Sequence, residues 1–332
     1  VQTCALPIYV LNFRFLGLLL DILRFFRTAP KVLNGAHDGE PTLGAWLERS
    51  KFGRAFIEDH LLPMAAAIWS CPTAVMLDFP LISFLRFFHN HGLLTFDDRP
   101  AWRTVYGGSR EYVRRIEAQL APGTVRTGAR VMSVSRSDTG VELVLADGER
   151  QRADGVVFAT HAPQALAALA DATHDERAVL GAFRTQENQA ILHRDPAQMP
   201  RRKAAWASWN YAGDTGRPGS AAISVTYWMS RLQNITTPGN LFVTLNPVKP
   251  VREDLVLGQF SYQHPIFDRA ALDAQARLGT IQGACRTWFC GAWQRYGFHE
   301  DALMSALAVA AQLGVQAPWQ QGAQVPPVAA AA

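Results

Sequence analysis

The chain has 332 residues, 48% of them hydrophobic and 18% charged, a globular composition long enough for one large or two intertwined domains. A chain of this length builds a core that needs no disulfide or structural metal to hold it. The formal net charge is +4, and the basic residues fall in short clusters such as Arg114-Arg115 and Arg201-Arg202-Lys203, which argues against a nucleic-acid-binding protein.

Cys4, Cys71, Cys285 and Cys290 form no C-x-x-C pair and have no His at zinc-finger spacing, so they read as reduced thiols and no metal site is expected. Residues 1–8, Val1-Gln2-Thr3-Cys4-Ala5-Leu6-Pro7-Ile8, can be encoded by a common sequencing-adapter sequence, and no initiator Met precedes them. They are set aside as an expected artefact.

Residues 9–26 are strongly apolar but carry Arg14, Asp21 and Arg24, which disfavours a membrane-spanning helix. A core-facing helix is the preferred reading, with an interfacial helix lying on a membrane as the alternative. Residues 9–100 read as mostly helical: Thr42 is a candidate N-cap, and apolar-periodic stretches follow at 52–68 and 79–88. A Gly107-Gly108 turn leads to a helix predicted over 109–120. Alternating residues at 130–136 and 141–145, split by Asp138-Thr139-Gly140, predict a β-hairpin. The run 155–160 predicts a short buried strand, and a helix is predicted over 163–169. Strand-like runs at 188–193, 204–211, 221–228, 241–245 and 255–262 predict one antiparallel sheet. A strand at 287–291 breaks at glycine and re-enters a helix over 299–313. The Pro/Gln/Ala-rich tail, 315–332, is expected to be disordered.

The last strand–glycine–helix unit carries the strongest chemical signal. Gly291 lets backbone approach a ligand closely. A helix starting near His299 offers free N–H groups and a positive dipole end, which suit a pyrophosphate or an electron-rich ring. An ordinary strand–turn–helix is the competing reading.

The stretch Phe289-Cys290-Gly291-Ala292-Trp293-Gln294-Arg295-Tyr296-Gly297-Phe298-His299-Glu300-Asp301 resembles the C-terminal flavin-contacting motif of the FAD-dependent amine oxidase, protoporphyrinogen oxidase and phytoene desaturase superfamily. It is most similar to a bacterial group of amine-oxidase-like proteins. Trp102–Val113, Gly128-Ala129-Arg130-Val131 and Asp154–Pro163 resemble further segments of the same superfamily. The resemblance implies FAD as cofactor. It also implies FAD contacts from Val131, Ala159, Thr160, Gly291, Ala292, Phe298, His299, Glu300 and Asp301. One departure is plain: the superfamily's G-x-G-x-x-G turn does not occur, since Gly17, Gly35, Gly39 and Gly44 lack its spacing. An N-terminally truncated chain that binds FAD weakly, or does not fold fully, is therefore expected.

The expected fold is α/β (α+β): an incomplete Rossmann-like FAD domain interleaved with a substrate domain of helices and an antiparallel sheet. Its expected segments are 9–100 (helical, substrate), 101–170 (FAD), 171–283 (sheet, substrate) and 284–314 (FAD). Trp209, Tyr211, Tyr227 and His299 are the candidate catalytic residues, with Asn210, Trp228 and His264 weighed beside them. The expected activity is hydride transfer from an apolar substrate (a lipid, acyl chain or isoprenoid, with an amine as a further option) to flavin N5. A flavin-dependent isomerase and a non-catalytic lipid carrier are the alternatives. The expected location is cytoplasmic, with peripheral membrane contact as an option.

Overall fold

The computed structural model describes residues 12–35, 42–69, 73–95, 103–213 and 223–320. The expected artefact at 1–8, Cys4, Cys71, Trp102 and the tail beyond 320 lie outside them. The described residues form two compact units, one drawn from 1–125 and 186–264, the other from 126–185 and 265–332. The chain passes between the two units after Val125, Thr185 and His264.

The first unit opens with helices. α1, Phe13–Leu33, is N-capped by the Asn12 side chain, which accepts from the Arg14 N–H. Its Phe25, Ala29 and Val32 are buried, at the 4,3 spacing of one helix face. α2, Leu43–Arg49, is capped by Thr42, whose Oγ1 accepts from the Ala45 N–H at 3.3 Å. α3 comprises Arg54–Phe56, a π-helical Ile57–Leu61 and Leu62–Trp69. α4 is Thr73–Leu77, and α5 is Leu81–Asn90. α5 buries Leu81, Phe84, Leu85 and Phe88, an i, i+3, i+4, i+7 set. The Phe25 ring sits at the centre of these helices, 5.4 Å from Phe56, 5.8 Å from Trp46 and 6.2 Å from Phe88. Truncating such a ring to Ala costs about 3–5 kcal/mol. α6, Arg110–Glu117, is shorter than the predicted 109–120 helix and buries nothing.

In the second unit β1, Val131–Ser137, β2, Gly140–Leu145, and β3, Arg150–Ala153, form an antiparallel sheet in that order. The hairpin turns at Asp138-Thr139, with Ser137 opposite Gly140. β4, Val156–Phe158, is followed by α7, Ala162–Ala168, and α8, His174–Leu180.

The chain then enters the first unit's five-stranded sheet. Its strands are β5, Arg184–His193; β6, Trp209–Gly213; β7, Ile223–Trp228; β8, Phe242–Leu245; and β9, Val256–Ile266. The order is β6-β7-β8-β5-β9, and a one-turn α9, Met229–Leu232, follows β7. The strand expected over 204–211 is a correction: Lys203–Ala205 is a 3-10 turn and pairing begins at Trp209. Asn210 Oδ1 accepts from the Ala207 N–H at 3.0 Å, and Asn210 Nδ2 donates to Ala207 O at 2.7 Å. Both bonds fold the preceding segment back instead of extending it.

Back in the second unit stand α10, Arg269–Gln275, then β10, Thr287–Phe289, and α11, His299–Gln312. β10 pairs parallel with β4, Phe289 opposite Phe158. The core of this unit gathers Val134, Phe158, Val179, Leu180, Phe183, Phe289 and Trp293. The expected disordered tail begins with order: Ala317 is buried and Pro318–Gln320 forms a 3-10 turn.

Candidate functional site

Parallel strands place their carboxyl ends on one side, where open α/β sheets bind ligands. The β4–β10 register extends one residue past the strands, because the Cys290 N–H donates to Phe158 O at 2.9 Å. Ala159-Thr160 and Gly291-Ala292 therefore leave the sheet side by side. The indole N–H of Trp293 donates to Thr160 O at 3.0 Å and ties the two turns together. Ala159 and Thr160 are exposed, whereas Gly291 and Ala292 are half-buried.

Gly291 has φ +152°, and a Cβ there would lie 2.6 Å from Trp293 Nε1. The turn is thus built around the absence of a side chain. The Gly291 N–H donates to Ser305 Oγ at 2.8 Å, which seats the turn against α11. α11 begins at His299 as expected, and Asp301, buried in its first turn, accepts from the Phe298 N–H at 3.0 Å. That bond occupies the Phe298 amide. By helix geometry the amides of His299, Glu300 and Asp301 have no intrahelical acceptor, and they lie at the helix's positive dipole end. His299 and Glu300 are exposed. Four predicted positions, Ala159, Thr160, Gly291 and Ala292, are brought together, with the head of α11 anchored to the same turn through Ser305. Val131 lies at the start of β1, opposite Leu145 and half-buried against the unit's core.

Burial pushes the Cys290 thiol up, so it is inert at neutral pH. Burial pushes His161, next to Thr160, down, and its Nδ1 is buried with no hydrogen-bond partner.

The aromatic candidates sort by strand parity. Trp209 pairs with Tyr227 and Tyr211 with Val225, so Trp209, Tyr211 and Tyr227 share one face of the sheet. The Trp209 and Tyr227 rings meet edge-to-face at 6.0 Å. The Tyr211 hydroxyl donates to Asp59 O, inside the π-turn of α3, at 3.1 Å. Leu62–Trp69 of α3 packs against β6 and β7. Burial pushes both tyrosine hydroxyls up, so both stay neutral. Asn210 and Trp228 lie on the opposite face. Asn210 is buried in its own turn, and the Trp228 indole donates to Asn240 Oδ1 at 2.9 Å. That face carries a buried polar chain: His193 Nε2 meets Thr244 Oγ1 at 2.7 Å, which meets Thr226 Oγ1 at 2.9 Å. His264 Nδ1 accepts from Asn188 Nδ2 at 2.8 Å, a structural tie to a fully buried amide. Among the described residues no cluster of His, Cys, Asp and Glu could hold a metal ion, and no helix is long and apolar enough to cross a membrane.

The model of the flavin-containing amine oxidoreductases matches residues 27–191. The chain belongs to the FAD-dependent amine oxidase superfamily. Solved structures share the fold at low identity. A CLA-producing fatty acid isomerase from P. acnes is 12% identical with TM-score 0.61, over 92% of this chain and 77% of that one. Cyclohexylamine oxidase from Brevibacterium oxydans IH-35A is 12% identical with TM-score 0.62, over 92% and 76%. A reduced UDP-galactopyranose mutase is 14% identical with TM-score 0.55, over 89% and 73%. No functionally curated sequence is similar to the chain.

As an amine oxidase superfamily member the chain is a flavin oxidoreductase with FAD as cofactor. Its second unit fits that group. Gly291 keeps its turn free of a side chain that would collide with Trp293, and three first-turn amides of α11 have no intrahelical acceptor to compete with an anionic ligand. Three features were not legible beforehand: the π-turn in the first unit, and the Asp301 cap and the Trp293–Thr160 bond in the second. The Asp at the third helical position was a capping signal in the sequence; the other two had none.

Proposed function

We propose that this flavoprotein oxidises or desaturates an apolar substrate: a lipid, acyl chain or isoprenoid. The observation that carries the reading is the composition of the Trp209–Tyr211–Tyr227 face. Across β6, β7 and β8 it presents no Asp, Glu, Lys or Arg, and its two tyrosine hydroxyls are neutral, shifted further above their ordinary range. An ammonium group would find no counter-ion on it.

Bound FAD supplies a two-electron acceptor for a C–H bond, chemistry no side chain of the chain can perform. What the protein contributes is placement. Gly291 and Ala292 allow close backbone approach, and Ala159 and Thr160 border the same turn. The head of α11 presents amide N–H groups to negative charge. In the first unit the edge-to-face pair Trp209–Tyr227 offers rigid apolar surface. The Tyr211 bond to Asp59 O fixes a third ring beside it. His299, exposed at the first position of α11, is the remaining candidate for a proton-transfer role.

The test is anaerobic mixing of the FAD-loaded chain with acyl lipids and with simple amines. Loss of the visible flavin band with acyl lipids, and not with amines, supports the reading; the reverse contradicts it. A second reading, isomerisation without net electron loss, draws support from the fold shared with a fatty acid isomerase. In that case substrate turns over with no acceptor consumed.

A further inference from the structure

We propose that α1 seats the first unit on the surface of an anionic lipid bilayer. One face of α1 is buried through Phe25, Ala29 and Val32. The opposite face is an unbroken exposed stripe at 3- and 4-residue spacing: Phe13, Leu16, Leu20, Leu23, Arg27 and Lys31. Phe13 is 88% exposed and Leu20 66%. Solvent-facing positions of a surface helix are ordinarily polar, so four large apolar residues in one row call for a covering partner.

The charges on α1 say which partner. Asp21, its one acid, is turned away from the stripe, accepting from the Gly53 N–H at 2.7 Å and facing Arg24 at 3.5 Å. Arg14 is bound to Asp59, and Arg24 donates to Ser50 O while its guanidinium lies 4.0 Å from the Phe52 ring. Among the described residues, Arg27 and Lys31 on the stripe have neither a carboxylate nor a hydrogen-bond partner. The stripe is therefore apolar over its first half and positively charged over its second, with no counter-ion among the described residues. A second copy fits poorly. An antiparallel pairing would press Arg27 and Lys31 onto leucines, and a parallel pairing would set like charges together. An anionic bilayer satisfies both halves, the apolar side chains entering the acyl boundary and the two cations meeting headgroup phosphates. No described helix can cross a bilayer, so the helix lies in the interface. Contact of this kind would also bring the chain to a pool of acyl lipid, but docking is independent of what the flavin oxidises.

The experiment is flotation of the 332-residue chain with phosphatidylcholine vesicles and with 7:3 phosphatidylcholine–phosphatidylglycerol vesicles. Expected is recovery with the anionic vesicles at low salt and its loss at high salt. The double variant R27Q/K31Q should bind them about 30-fold more weakly, and L16E/L20E should not float with either composition. Near-UV circular dichroism confirms folding of each variant. A second readout avoids the charge variants: Leu20→Cys labelled with an environment-sensitive dye should shift its emission to the blue with anionic vesicles. The proposal is overturned if the parent chain does not float, if the variants float equally, if the dye is unmoved, or if the chain is instead a dimer that L16E/L20E dissociates.

Discussion

The indole N–H of Trp293 donates to the carbonyl oxygen of Thr160 at 3.0 Å, joining the turn after β10 to the turn after β4. Trp293 is otherwise a core residue, its ring edge-to-face with Phe183 at 4.6 Å. Trp293→Phe keeps most of that packing and deletes the bond. Thr160 is exposed, so its carbonyl can turn to water, and the predicted loss is about 0.5–1.5 kcal/mol in urea unfolding. FAD affinity should fall further than stability does, because the freed turn loses its fixed geometry. Titration of FAD into the variant checks this.

Arg136 is the buried hub of the second unit. Its guanidinium pairs with both carboxylate oxygens of Glu176 and with Asp171, and donates to Thr287 Oγ1 at 3.3 Å on β10. The Arg136 and Glu176 side chains are 3% and 0% exposed. Removing one partner leaves a buried charge, so Arg136→Met should destabilise by about 3–5 kcal/mol. The double variant R136M/E176M should recover part of that loss. Comparison of the single and double variants by denaturant unfolding measures the coupling.

The same pair sets an acid limit. Burial pushes the Glu176 carboxyl up, but the bonds from Arg136 and Thr173 outweigh it, and the net direction is down. A carboxyl lowered in the folded state adds stability above its unfolded pKa, about 4.3. That stability is lost as pH falls through the lower folded value. His193 acts in the same sense at higher pH. Burial lowers its folded pKa despite Asp195, so the unfolded chain takes up a proton first, below about pH 6.5. Thermal melts should show stability declining from about pH 6.5 downward, with a second decline in the acid range that Glu176→Gln lacks.

On the aromatic face, Trp209→Ala and Tyr211→Phe separate packing from hydrogen bonding. Trp209 is 45% exposed, so its removal should cost little stability while weakening acyl-lipid turnover at least several-fold. Tyr211→Phe deletes the bond to Asp59 O, and a loss of about 1 kcal/mol is expected. Steady-state kinetics with an acyl lipid, alongside melting temperatures, distinguishes the two effects.

Local signals carried much of the fold. The Thr42 cap, the Asp138-Thr139 hairpin turn and the start of α11 at His299 are each written in a few neighbouring residues. What the sequence did not show depends on distance or parity. Arg136 and Glu176 lie 40 residues apart, and no local pattern pairs them. Ile57–Leu61 reads as ordinary helix, and its π geometry appears with the Tyr211 hydroxyl bonded to Asp59 O. Trp209, Asn210 and Tyr211 are adjacent, yet the strand sends Asn210 to the opposite face. Composition could nominate all three, and only the register at Trp209–Tyr227 sorts them.

We propose that the second unit holds FAD where β4, β10 and α11 meet, around Gly291. The most direct measurement is FAD titration of the parent chain and of Gly291→Val, followed by flavin fluorescence and the visible absorption band. A valine there meets Trp293 Nε1 and an unfavourable φ, so binding should be saturable in the parent and at least about tenfold weaker in the variant, from roughly 1–3 kcal/mol of strain at the site. Equal affinities in two folded proteins, or a parent chain that binds no FAD, would contradict it.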